Sequence, residues 1–146
     1  MILRPFKPED AIEILGYPKQ PGLELTDQTR LWAEIKAVRG PAVTGIVDGK
    51  IIGCSGIEIM WTGVGEIWGL FVSDISDYTM EFVRESKHLV DEWQKEYNLV
   101  RIQAPMREDF KEGIRFIKWF GFKKEFTMRK YHPDGTNAIM YSKVGE

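Results

Sequence analysis

Apolar positions change their period several times along the chain, and each change marks an element. Residues 2–6 are short and extended, closed off by Pro5 and Pro8. Pro8 suits a first helical turn, with Glu9 and Asp10 favourable at its positive end. Ile12 and Leu15 supply an apolar edge and Gly16 a stop. The stretch GYPKQPGLEL reads as loop. Asp27 is the expected cap of a second helix carrying Leu31, Ile35 and Val38 on its apolar side and closed by Gly40. From Pro41 the period becomes that of strands. PAVTGIV and KIIGCSGIEIMW flank Asp48-Gly49, the strongest short hairpin signal, and Thr62-Gly63 turns the chain into a third strand over residues 65–73.

A long amphipathic helix is then predicted over residues 78–97, with Phe82, Val83, Leu89, Val90 and Trp93 on one face. LVRIQAP follows as a strand parallel to residues 65–73, because a long helix intervenes. A further helix spans residues 108–120 and stops at Gly121. Residues 122–131 and 137–144 close the chain as a hairpin over His132-Pro133-Asp134-Gly135. The order β-α-α-β-β-β-α-β-α-β-β describes a single α/β domain over residues 1–146, a mixed sheet with one parallel pair and helices on both faces. The strand over 65–73 and the turn after it hold the central position. At such a junction a strand's carboxyl end and a helix N-terminus offer N–H groups to an anion.

Composition narrows the function little. The 146 residues are 43% hydrophobic and 29% charged, with net charge −2. That balance argues against a general nucleic-acid or membrane electrostatic role, and the basic run from Lys123-Lys124 to Arg129-Lys130 is too thin to change it. No apolar run approaches the roughly 18 residues of a membrane span, and MILRPFKPED lacks a signal core, so a cytoplasmic protein is expected. The single Cys54 lies in an apolar strand pattern and reads as a small buried hydrophobe. His88 and His132 have no partners at metal-ligand spacing, so no metal site is expected.

Four segments, in this order, resemble the GNAT superfamily of N-acyltransferases. LRPFKPEDAIEIL is similar to its first strand and helix, and GIVDGKIIGCSGIEI to its central hairpin, with Ile52-Gly53 as the apolar-Gly pair. EIWGLFVS is similar to its fourth strand, and FKEGIRFIKWFGFKKE to the late helix ending in Gly-Phe, here Gly121-Phe122. The closing segment, with Met140-Tyr141, resembles short GNAT-like proteins of phages and prophages. The resemblance implies a GNAT-like, about seven-stranded, mostly antiparallel sheet. It implies acetyl-CoA as co-substrate, its pantetheine arm on the backbone of Leu70, Phe71 and Val72 and its diphosphate at the turn containing Ser76, Asp77 and Tyr78. It also implies Glu66 as the base that makes an acceptor amine neutral.

The chain departs from the family at specific places. Residues 73–80 hold no glycine, arginine or lysine where the family has a glycine-rich phosphate loop. Asp74 and Asp77 put carboxylates there, and Asp77 is a good helix cap in its own right. Two like charges ~4 Å apart repel by about 1 kcal/mol even in water. Ile117 stands where many members have a Tyr acid, leaving Tyr131 or Tyr141 as substitutes, and Glu108-Asp109 stand where an Asn is frequent. Trp61 and Trp68 read as packing residues or as the lining of an acceptor pocket.

Two functions are therefore expected. One is an N-acetyltransferase with a degenerate diphosphate loop, acting on a small-molecule or protein amine. The other is a non-catalytic phage or prophage protein that is virion-associated or binds a phage or host protein. Aromatics near the closing hairpin would suit a homodimer.

Overall fold

Asp48 and Gly49 reverse the chain with φ of 50° and 76°, the pair of left-handed residues that a two-residue hairpin requires. The computed structural model describes residues 1–16, 26–72 and 77–145. GYPKQPGLEL, beyond its first residue Gly16, falls almost wholly outside them, as do the turn residues 73–76. In chain order the elements are β1 (Ile2–Pro5), α1 (Pro8–Leu15), α2 (Asp27–Val38), β2 (Ala42–Val47), β3 (Lys50–Trp61) and β4 (Val64–Phe71). Then come α3 (Asp77–Glu96), β5 (Arg101–Arg107), α4 (Lys111–Trp119), β6 (Lys123–Met128) and β7 (Ala138–Val144). Seven strands among the described residues form one sheet in the order β1-β2-β3-β4-β5-β7-β6. Every neighbouring pair is antiparallel except β4 and β5, as the intervening helix predicts.

Alternation along the central strands divides the core between the two faces. Cys54, Trp68 and Leu70 pack with Phe6, Ala11, Ile14 and Ala33 beneath α1 and α2. Ile57, Ile67 and Phe71 join Val83, Val90, Ile117 and Phe120 beneath α3 and α4. Phe82, fully buried, fixes how closely α3 approaches the sheet. A Cβ at Gly45 or Gly53 would lie 2.5 or 2.9 Å from its ring, so only glycine admits this helix here. The Ile52-Gly53 pair thus has a packing reason.

Asp10 does more than favour the start of α1. It is 3% exposed and binds both guanidinium nitrogens of Arg4 at 2.7 Å, the Thr44 hydroxyl at 2.7 Å and the Lys7 N–H at 2.9 Å. Burial opposes its charge, but these bonds hold its carboxyl below the ordinary value of 3.8. The joint ties β1, β2 and α1 together.

The second helix departs from expectation. Thr26, not Asp27, is its cap: the Thr26 hydroxyl accepts from the Thr29 N–H at 3.2 Å and Thr29 returns the contact to the Thr26 N–H at 2.7 Å. Its buried side is Trp32, Ala33, Lys36 and Ala37, whereas Leu31 is 57% and Val38 81% exposed. The stripe shifted because Lys36 finds a buried carboxylate on β3, described below. α4 begins at Lys111 rather than near Glu108, since Asp109 is drawn into an ion pair with Arg107 at 3.0 Å and the Phe110 N–H bonds Arg107 O at 3.1 Å in a turn. β6 ends at Met128 because Lys130 takes φ of 54°. Phe126 and Tyr131 on this hairpin are about half exposed.

Two stability outcomes follow. Asp10→Asn should lower unfolding free energy by about 2 kcal/mol near neutrality, because a charged group's bonds are lost. The wild-type contribution of Asp10 is complete above the unfolded value near 3.8 and is lost as pH falls through the lower folded value, so the substitution should flatten the acid limb of denaturant-monitored stability. Val38→Lys, on the exposed side, should stay within about 0.5 kcal/mol.

Candidate active site

β4 and β5 pair only from Val64–Arg101 to Glu66–Gln103 and then part. Proline explains where they part. Gly145 N–H bonds Val100 O at 2.8 Å, which sets the register with β7 so that Arg101, Gln103 and residue 105 turn their backbone groups toward β4. At 105 the residue is proline, which has no N–H to give, so the ladder stops there. On the other side, Val72 N–H bonds Ile52 O at 3.1 Å. Its neighbour Phe71 therefore turns its N–H and C=O away from β3 and into the gap.

This corrects part of the expected donor set. Phe71 presents its backbone to the gap, while the Val72 N–H is engaged with β3. Leu70, 1% exposed, is a core residue under α1 and α2, with its backbone on the β3 side. Ser76 and the side chain of Asp77 lie outside the described residues. Tyr78 stands half exposed in the first turn of α3.

A cleft of about 320 Å³ occupies the gap and reaches both faces of the sheet. Toward α3 and α4 its walls include Phe71, Phe116, Ile117 and Phe120, with the hydroxyls of Ser55 and Ser86 bonded to each other at 3.0 Å. Toward α2 they include Trp32, Lys36, Glu66 and Trp68. Glu66 is partly exposed, and its Oε2 accepts from Gln103 Nε2 at 3.1 Å across the last paired rung. Glu58 stands directly opposite on β3, a like charge that would be unfavourable alone. Lys36 removes that difficulty by binding Glu58 Oε1 in a buried ion pair, assisted by Arg39 at 3.4 Å from Oε2. The ammonium also lies 5.3 Å from the Trp32 ring centre.

The far rim is built by the turn between β6 and β7. Arg107 at the end of β5 binds Asp109 at 3.0 Å, Asp134 at 2.8 Å and the Thr136 hydroxyl at 3.1 Å. Those bonds hold the Asp134 carboxyl well below the usual range. Backbone bonds from His132 N–H to Thr136 O (3.1 Å) and from Gly135 N–H to His132 O (2.9 Å) fix the turn itself. His132 thereby joins the cleft wall, and burial followed by the charge of Arg107 pushes its pKa below 6.5. Its Nε2 and the indole Nε1 of Trp68 are both buried without a hydrogen-bond partner among the described residues.

Other candidates fall elsewhere. Trp61 is 64% exposed and away from the cleft, whereas Trp68 is both a core residue, edge-on to Phe6 and Trp32, and part of the wall. Neither Tyr131 nor Tyr141 lines the cleft; Tyr131 is exposed and Tyr141 buried in the core. Cys54 is buried, and desolvation pushes its thiol up to about 12, which leaves it inert. Among the described residues no three His, Cys, Asp or Glu side chains are grouped to hold a metal ion, and no helix is long and apolar enough to cross a membrane.

No protein-family model and no curated protein sequence matches the chain. Solved structures do match from end to end. An acetyltransferase of the GNAT family from Streptococcus pneumoniae is 15% identical, with a TM-score of 0.74 over 99% of each chain. The ribosomal-protein-S18-alanine N-acetyltransferase from Escherichia coli is 16% identical, with a TM-score of 0.75 over 99% of this chain and 94% of that one. Ard1 from Thermoplasma volcanium is 21% identical, with a TM-score of 0.71 over 99% and 97%. The chain has the fold of GNAT acetyltransferases.

Lys36→Met tests the architecture of the α2 wall. It leaves Glu58 buried beside Glu66 with only the exposed Arg39, 3.4 Å away, and should destabilise by about 3 kcal/mol in denaturant unfolding. Glu58→Gln combined with Lys36→Met should recover much of that loss, since no unpaired charge remains.

Proposed function

We propose that this chain is an N-acetyltransferase that moves an acetyl group from acetyl-CoA to a primary amine. The observation that carries this reading is the gap opened at Pro105, with the partly exposed carboxylate of Glu66 at its closed end and strand backbone turned into it. The Phe71 N–H and C=O suit an amide-bearing pantetheine arm, as a further strand edge would. The first turn of α3, where Tyr78 stands, is where the diphosphate would lie. The donor supplies a thioester whose acyl carbon accepts an amine. The protein supplies the dry walls of Phe71, Phe116 and Ile117, and a base.

That base is Glu66. An amine reaches the cleft as an ammonium ion and must lose a proton before it has a lone pair. The Glu66 carboxylate, oriented by Gln103, accepts it directly or through water. The structural neighbours act, by their names, on alanine of ribosomal protein S18, on aminoglycosides at the 6′ position and on spermidine. An alanyl peptide, an aminoglycoside and spermidine are therefore the first acceptors to try. The non-catalytic alternative, with a phage or host protein as partner, draws on the missing glycine-rich loop, on Ile117 in place of an acid and on the closing segment.

Calorimetric titration with acetyl-CoA should show micromolar binding, and thiol release should follow with at least one of these amines. Glu66→Gln should lower kcat by about 100-fold while acetyl-CoA affinity stays within about twofold. Unchanged turnover would remove Glu66 from this role. Absence of binding at millimolar acetyl-CoA would sink the reading and favour the non-catalytic one.

A further inference from the structure

Transfer from a thioester releases a thiolate, which needs a proton, and Ile117 in the cleft wall has none to give. Apart from the indoles of Trp32 and Trp68, which are far too weakly acidic or basic to exchange a proton in a catalytic step, six side chains lining the cleft carry exchangeable protons or charge, and five are already committed. Lys36 is paired with Glu58. Glu66 accepts from Gln103. Ser55 and Ser86 bond each other, and Arg107 is held by Asp109 and Asp134. The sixth is His132, whose Nε2 is buried and has no hydrogen-bond partner among the described residues.

We propose that His132 is a catalytic proton shuttle, accepting a proton from the attacking amine on Nε2 and delivering it to the departing thiolate. The proposal rests on the acetyltransferase reading above. The protons balance as follows. Glu66 takes the first proton from the ammonium ion, and this one is released to water. As the nitrogen–carbon bond forms, the nitrogen carries one proton too many, and the neutral imidazole takes it. As the carbon–sulfur bond breaks, the imidazolium gives that proton to sulfur. The products are an amide and a thiol, with one proton released overall and no external acid required.

The surroundings fit a group that begins neutral and becomes charged only in passing. Arg107 faces His132 from β5 and opposes its charging. Asp134 in the same turn and Asp109 before α4 favour it, and both are tied to Arg107. Lys36 from α2 and Glu66 from β4 share the cleft with it. Burial first and Arg107 second keep the imidazole neutral at physiological pH, while the Arg107–Asp134 clamp positions the turn.

The experiment compares wild type with His132→Gln and His132→Ala. The bonds that shape the turn at this residue are main-chain, so both variants should fold. The histidine Cε1 proton signal lost in His132→Gln identifies His132 against exposed His88. In wild type it should titrate below 6.5 and move when acetyl-CoA is added. Both variants should bind acetyl-CoA within about twofold of wild type, yet lose about 100-fold or more in kcat with the fastest of the three acceptors. The histidine's own step in the acid limb of kcat should be missing from both variants, and millimolar imidazole should restore rate to His132→Ala.

Retention of kcat within about threefold, or loss without imidazole rescue, overturns the shuttle while wild-type turnover keeps the acetyltransferase reading intact. A His132 signal that ignores bound acetyl-CoA also overturns it, with no acceptor needed. Failure of wild type to bind acetyl-CoA overturns both.

Discussion

A missing hydrogen bond organises this protein. Among the described residues β4 and β5 are the only parallel neighbours in the sheet, and their ladder stops after Glu66–Gln103, because the next N–H position directed at β4 is Pro105. An unpaired pair of strands inside a sheet would ordinarily be unfavourable, since buried backbone groups need partners. Here the strands are held apart by what surrounds them. β3 fixes one side through an antiparallel ladder unbroken from Gly53–Phe71 to Ile59–Gly65, and β7 fixes the other. In the proposed function, a ligand that brings its own amides would complete the ladder.

The two faces of the gap are built by different physics. The α3 and α4 side is apolar and shaped by fit, as Phe82 against Gly45 and Gly53 shows. The α2 side is built by charge: Lys36 neutralises Glu58, which allows Glu66 to keep its carboxylate one strand away. The rim at His132 is a third device, a turn pinned to the end of β5 by Arg107. The place where the three meet is apolar on one side and polar on the other, which suits the proposed proton transfer beside a thioester.

Much of this was legible in the sequence. Asp48-Gly49 and Thr62-Gly63 announced their turns because few other residues tolerate their dihedrals, and Gly49 and Gly63 do sit at φ of 76° and 83°. The long amphipathic helix and the parallel strand after it followed from period and length. Glu66 fell inside the cleft. The face of α2 was misread, because Leu31, Ile35 and Val38 make a good apolar stripe and nothing local shows that Lys36 will find Glu58 22 residues later. The alternative spacing Trp32, Ala33, Lys36, Ala37 was there to be seen, with one charge in it. His132 was read as a turn residue, which it is. Its place in the cleft depends on Arg107 reaching Asp134 across 27 residues, a contact no local pattern encodes.

The gap between β4 and β5 as the seat of the acyl donor is the claim on which everything else stands. Amide chemical shifts of the protein, followed by ¹⁵N–¹H spectra during addition of acetyl-CoA, test it most directly. Perturbations concentrated on Ile67 to Phe71 and on Met106 and Arg107, with β1 and β2 undisturbed, are expected. Spectra unchanged at millimolar acetyl-CoA, or shifts confined to surfaces away from these strands, would contradict it.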